Sequence, residues 1–279
     1  SPYTLSLHDA LPISAKAGTY KVNVNHLAEQ AKIEGHSKNS MVAVSAENWT
    51  ANDLVFNVTT ASVTALGVTT PGGTTQVKLA MPDLSAGTPK DIVTEINSKI
   101  ATSSLNGKIT ASYVQEGNDK YIKFTKASSN TDTINLSDTD NAITDIKDTT
   151  INSAITSSSL LSTLGFSTGA NSFTLTNGTT PLAVSLNVSS SSTVQNLMDQ
   201  VNSATSGAIT MNIDDTTGKI SFQSKQYGTV SNIGITSTDA NVMTSLGIAE
   251  NATAIGKDAI VSITAPGQSA MTKIGRAHV

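Results

Sequence analysis

The sequence predicts a mainly β fold of the α+β kind, with two repeated strand-strand-helix-strand-strand-strand units on a smaller β-rich base. Three observations carry that expectation. Short runs alternate apolar and polar residues with the period of a half-buried strand. Turn residues separate the runs, and one segment with helical spacing lies inside each group of them. The same order of elements then occurs twice, and such self-similarity bears on architecture before any single element does.

The clearer copy occupies residues 160–250. In Ser172-Phe-Thr-Leu-Thr176, Phe173 and Leu175 alternate with hydroxyl residues. Asn177-Gly178 suits the positive φ angles of a tight hairpin turn, and Leu182, Val184, Leu186 and Val188 share one face of the returning strand. Four serines at 189–192 lead to Thr193, after which Val194, Leu197, Met198 and Val201 form a helical stripe. Ser192 or Thr193 suits the N-cap, and Gly207 lies beyond the helix end. Ile209, Met211 and Ile213 alternate again, Asp214-Asp-Thr-Thr-Gly218 reads as a turn, and Ile220-Ser-Phe222 returns. Val230, Ile233 and Ile235, after Tyr227-Gly228, supply the last strand.

The other copy, residues 61–159, repeats this order with looser boundaries. Val77-Lys-Leu79 is its second strand, and Asp91 reads as the cap of a helix striped by Ile92, Val93, Ile96 and Ile100. Ile109–Val114 and Tyr121–Phe124 form a hairpin around Glu116–Lys120, and Thr133-Ile-Asn-Leu136 closes the unit. The polar stretch around 137–158 reads as a loop or short helix. Ala65-Leu-Gly-Val68, Thr163-Leu-Gly-Phe166 and Ser245-Leu-Gly-Ile248 serve as landmarks of the repeat. Outside the copies, residues 15–60 hold strands at Thr19–Val24 and Leu54–Val58, and residues 251–272 return through Asp258–Ile263. These three strands are expected to pair as the base.

Composition excludes several kinds of chemistry. Charged residues are 14% of the chain and the net charge is −4, so there is no basic field for a nucleic acid. The absence of Cys removes disulfide, zinc-finger and thiol chemistry, and no apolar run approaches the roughly 18 residues of a membrane helix. His26 and His36 lack a third ligand at zinc-like spacing. No nucleophile elbow, phosphate loop or dinucleotide turn occurs. Asp138-Thr-Asp140-Asn141, with Asp145 following, resembles the start of a calcium loop. However, Ile143 stands at the glycine position and no Glu closes the loop. Trp49, the lone indole, is expected to be partly buried rather than an exposed binding anchor. Lys120, Lys123 and Lys126 sit beside Glu116 and Asp119, which weakens them as a polyanion site. The reading is of a protein that is not an enzyme and uses no cofactor or metal.

Residues 4–13 and the tail from Ile274 to Val279 resemble translated sequencing adapters. The single Arg of the chain, Arg276, and two of its four His, His8 and His278, fall in these ends. Residues 1–14 and 273–279 are therefore set apart from the fold, and the chain is expected to be an internal fragment of a longer one.

The opening Gly18-Thr-Tyr20-Lys-Val22-Asn-Val24-Asn-His-Leu27-Ala28-Glu-Gln-Ala-Lys32 resembles a segment of flagellar filament-capping proteins, the hook-associated protein 2 family. In that family a terminal helix there gives way to a strand followed by Leu-Ala. The repeats, most clearly from Phe173 to Ile235 with Gly178, Val194, Leu197 and Val201, resemble the flagellin hook IN motif. Gly256-Lys257-Asp258-Ala259-Ile-Val-Ser-Ile-Thr264 is similar to the strand that follows the head in the cap family. The resemblance implies the structural head of a filament cap, exported by the flagellar secretion system and placed outside the cell at the flagellum tip. There it would self-associate into a ring and promote polymerisation of flagellin, with glycan or mucin contact as a further expectation. Nucleic-acid and membrane partners are not implied. Residues 15–60 would include the top of a leg region. The variable outer domain of a flagellin and a tandem-β surface adhesin are the alternatives.

Overall fold

The structure is a computed structural model that describes residues 18–36, 40–137, 143, 146–214 and 217–275. In chain order the elements begin with β1 (Lys21–His26), β2 (Gln30–Glu34), β3 (Met41–Ala43) and a 3₁₀ turn at Ala46–Trp49. They continue with β4 (Leu54–Thr59), β5 (Val63–Ala65), β6 (Val68–Thr70), β7 (Thr74–Leu79), α1 (Pro89–Ala101), β8 (Ile109–Glu116), β9 (Asp119–Lys126), β10 (Thr133–Leu136) and β11 (Ile146–Lys147). Next come α2 (Leu161–Leu164), β12 (Gly169–Asn177), β13 (Thr180–Val188), α3 (Val194–Ala204), β14 (Ile209–Ile213), β15 (Ile220–Tyr227) and β16 (Asn232–Thr236). The last are α4 (Ala240–Leu246), β17 (Ala252–Ile255), β18 (Ala259–Thr264) and β19 (Met271–Gly275). The fold is mainly β, built from several small antiparallel sheets, as the alternating runs predict.

The two units share one frame. In the first, β4 lies between β10 and β7; in the second, β12 lies between β16 and β13, with β17 beyond β16. The helix follows the second strand in each, and a hairpin follows the helix: β8–β9 in one, β14–β15 in the other. Both pack an edge-to-face aromatic pair across the two sheets. Phe56 on β4 meets Phe124 on β9 at 5.4 Å, and Phe173 on β12 meets Phe222 on β15 at 5.9 Å. One backbone hydrogen bond is duplicated as well, Ala127 N–H to Lys108 O at 2.8 Å and Lys225 N–H to Ala208 O at 2.9 Å. Buried apolar residues of both sheets and the helix make a core in each unit, including Ile92, Ile96 and Ile100 in the first and Leu197 and Val201 in the second. Full burial of such side chains supplies about 1.5–3 kcal/mol each.

Several expectations change. The helix α1 is capped by Thr88, whose hydroxyl accepts from the Asp91 N–H, while Asp91 reaches back to Thr88 as the third helical residue of a capping box. Thr193 and Asn196 form the same box on α3. The segment Leu54–Val58, expected in the base, is β4 at the centre of the first unit. Leu54, Val55, Phe56 and Val58 are all buried, on both faces of the strand, and a base sheet open to solvent would leave one of those faces bare. The landmarks also divide. Gly165 and Gly247 adopt left-handed conformations that end α2 and α4, but Leu66-Gly67 is the turn of an exposed hairpin, β5–β6. Val230 is half exposed and lies outside β16.

The topology is nested. From β2, Ala31 and Ile33 enter the core of the second unit, whereas Val42 of β3 enters the core of the first. The chain therefore begins the second unit, builds the first, and returns at Ile155 to finish the second. The base is a separate sheet of order β1-β18-β19. Its third strand runs through 273–275, into the tail set apart on sequence, because a turn with Gln268 N–H on Ala265 O sends the chain back along β18. Residues 1–17 and 276–279 lie outside the described residues.

Candidate functional site: the neck between base and second unit

The residues singled out on sequence divide into two groups. Phe173, Val194, Leu197 and Val201 are buried in the core of the second unit, and Gly178, at φ 62°, makes the β12–β13 turn. These are packing and turn positions. The others gather around the base sheet and the place where it joins the second unit. Tyr20 is half-buried just ahead of β1, and Val22 and Val24 are 61% and 55% exposed on it. Register sets these two valines opposite Ile263 and Val261, so they share one aliphatic face, while Asn23, Asn25 and Ser262 are hydrogen-bonded along the other.

Leu27 and Ala28 follow β1, and Lys257, Asp258 and Ala259 lead into β18, so these distant segments form two adjacent passages of one neck. Backbone bonds hold them together: Glu29 N–H to Lys257 O at 2.8 Å, Lys257 N–H to Glu29 O at 3.1 Å, and Gly228 N–H to Glu29 O at 3.0 Å. Asp258 accepts from the backbone N–H and the hydroxyl of Thr229, at 2.8 and 2.9 Å. Ser231 closes the other side. Its hydroxyl oxygen accepts from Ala31 N–H at 2.8 Å, and its carbonyl accepts from Gly256 N–H at 2.7 Å. Gly256 fits because a Cβ there would clash with the carbonyl oxygen of Glu29.

Around this backbone lies an exposed charge cluster. Glu29 pairs with Lys257 Nζ at 2.9 Å and with His26 Nε2 at 3.0 Å. The hydrogen bond from Lys257, with a smaller effect of His26, holds the Glu29 carboxyl below the usual carboxylate range. Exposed pairs of this sort contribute little to stability, so the backbone bonds carry the neck. Leu27 is 73% exposed beside it. His26, Glu29, Gly228, Thr229 and Ser231 are neck residues that sequence reasoning missed. Glu29 and Gly256 stood inside the quoted segments, but nothing in the pattern reveals the turn at Gly228–Ser231, far from Glu29 in sequence, as their partner.

The remaining candidates offer no catalytic arrangement. Among the described residues no three His, Asp or Glu side chains gather as metal ligands. The Asp138–Asp145 calcium-loop candidate lies outside the described residues except at Ile143, which is buried in the first core. Asp214 accepts from Thr217 N–H at 2.8 Å, as a turn aspartate does. Trp49 is buried, and its indole N–H donates to Ala43 O at 3.1 Å. Lys126 donates to Asp132 O at 2.8 Å, and Lys123 is buried, so these lysines form no exposed basic patch. Two shallow clefts, about 530 and 330 Å³, lie at the same place in the two units, near Gly107 and near Gly207.

No family model and no curated protein matches the chain by sequence. Among solved structures, the chain is similar to the crystal structure of the flagellar cap protein FliD from Helicobacter pylori, at 11% identity and a TM-score of 0.24. The match covers 88% of this chain and 63% of that one.

Proposed function

We propose that the chain is the head region of a bacterial flagellar filament cap, a structural protein at the filament tip that promotes flagellin polymerisation. One observation carries the reading. Leu27-Ala28 and Lys257-Asp258-Ala259, which lie in the two flanking segments that resemble the cap family, are the two passages of a single neck. Both repeated units hang from that neck as a lobe, and both chain passages below it enter one base sheet. This is the organisation expected of a head carried on a helical leg region. In this reading the base sheet faces the legs, the lobe contributes to the plate above the growing filament, and copies associate into a ring. Flagellin is the partner beneath the plate, and adhesion to glycans is a secondary role of the outer surface. The test is deletion of the full gene. Cells are expected to secrete flagellin monomers without filaments, and normal filaments in the deletion strain overturn the proposal.

A further inference from the structure

The first unit carries an arm that the second lacks. In the second unit β12 and β13 are joined by Gly178-Thr179 alone. In the first unit the ribbon continues past β4 and β7 into β5 and β6 in the same register, with Thr59 opposite Thr74 and Val63 opposite Thr70. The third strand of that sheet, β10, stops at Thr59. At about 3.3 Å per residue the ribbon then projects roughly 20 Å beyond its support. Its root is fixed: Thr60 N–H donates to Gly73 O at 2.9 Å and Gly72 N–H to Ser62 Oγ at 3.0 Å.

Everything about the arm suits contact. All residues of β5 and β6 are exposed. Val63, Ala65 and Val68 share one face, while the Thr64 and Thr69 hydroxyls bond at 2.8 Å on the other. The tip is Leu66, fully exposed and at φ 52°, where Asn or Gly would be the unstrained choice. An isolated two-stranded ribbon is marginal in water, so an arm of this kind needs something to lie against. A membrane is a poor match, because no basic or aromatic anchor flanks the tip.

Charge identifies the occupant. The chain carries a net charge of −4, yet no ionisable residue occurs from Leu54 to Val77 or from Thr149 to Met198, its two longest charge-free stretches. The first contains the arm. The second contains β13, an edge strand that no strand covers among the described residues. The two-residue loop makes Asn177–Thr180 a hydrogen-bonded pair, so the backbone of alternate residues Ala183, Ser185 and Asn187 turns to the open edge. Acidic copies can approach closely where neither presents a charge. We infer that the β5–β6 arm of one copy lies along the β13 edge of a second copy, a head-to-tail contact between first and second units.

The inference rests on the self-association of the cap reading and names its surface. Two different patches on each subunit make the contact heterologous, which generates a ring when the rotation closes. The arm offers less than the roughly 800 Å² per partner of a standard interface, so a single contact is weak and concentration-dependent.

The test is sedimentation of the full chain and of two single-patch variants. One replaces residues 61–72 by Gly-Thr, the two-residue loop that joins β12 and β13 in the second unit. The other is Ser185→Pro, with Ser185→Lys as a milder form. The wild-type chain is expected to associate with rising concentration. Each variant, with circular dichroism and thermal midpoint retained, is expected to be monomeric alone. Mixed, the two variants should form a one-to-one pair, since one keeps the edge and the other the arm. Association of the arm-less chain equal to wild type overturns the inference, as does a wild-type chain monomeric at every concentration or a mixture that does not pair. None of these outcomes touches the filament phenotype of the gene deletion, so failure of the arm contact is distinguishable from failure of the cap reading.

Discussion

The two units reach one frame with different sequences, and the differences fall where the frame does not depend on side chains. Phe56 with Phe124 and Phe173 with Phe222 occupy equivalent places, and so do the capping boxes at Thr88 and Thr193. Elsewhere the units diverge. The first has the arm where the second has a two-residue turn. The first buries Lys123 opposite Met41, while the second buries Ser221 at the equivalent position, opposite Glu34. The second unit adds α4 and β17. Core positions answer to close packing and vary little in kind, whereas ribbon ends in solvent tolerate insertion.

Nesting makes the units unequal despite the shared frame, and the aromatic pairs are the strongest way to break the equality. Phe56→Ala and Phe173→Ala should each cost about 3–5 kcal/mol in their own unit. The spread of damage should differ. Unfolding the first unit turns the stretch between Glu34 and Ile155 into a long flexible loop, and closing that loop against the second core costs entropy. Phe56→Ala should therefore also lower hydrogen-exchange protection in β2 and β15. Phe173→Ala should leave β4 and β9 protected, since among the described residues the first core is built from residues between Val42 and Ile151. Equal spread in both directions would show that the units are not nested energetically.

Lys123 sharpens the comparison at a smaller scale. Burial pushes its ammonium below the usual lysine range, and the charge of Asp214, from the β14–β15 turn of the second unit, partly offsets this. Between the lowered value and the ordinary lysine value of 10.5, the unfolded chain binds more protons at this site than the folded one. Stability contributed by this group therefore rises with pH through that window. Lys123→Met should raise stability near neutral pH by roughly 1–2 kcal/mol, because Asp214 keeps its turn bond to Thr217. The advantage should shrink as pH climbs toward 10.5. Urea midpoints of wild type and variant across that range give the difference, and a gap that widens with pH would reverse the assigned cause.

Much of the frame was legible because burial leaves a periodic trace. The alternation of Phe173 with Leu175 and the stripe of Ile92, Ile96 and Ile100 mark half-buried strands and an amphipathic helix directly. Leu54–Val58 was misplaced for the opposite reason. A strand buried on both faces loses its alternation, and sequence position alone then suggested the base. Nesting was not legible, because β2 joins the second core across the whole first unit, and periodicity says nothing about partners. The neck was half legible: its two chain passages stood out as segments, but the turn at Gly228–Ser231 that locks them did not.

The helix caps give the smallest and most selective difference. Thr88→Ala and Thr193→Ala should each cost about 1 kcal/mol, seen as a modest fall in the urea midpoint. The boxes differ in their third residue, however, Asp91 in one and Asn196 in the other. Hydrogen bonds from the Thr88 hydroxyl and backbone N–H hold the Asp91 carboxyl below its ordinary value of 3.8. A depressed carboxylate contributes stability that is present above its unfolded pKa and lost as pH falls through the folded one. Acid should therefore loosen the start of α1 before that of α3, whose asparagine does not titrate. Hydrogen exchange at the Asp91 and Asn196 amides, each bonded to its threonine hydroxyl, reads the two caps separately. Replacing Asp91 by Asn should make the first cap as insensitive to acid as the second, and a first cap that stays acid-labile in that variant would remove Asp91 as the cause.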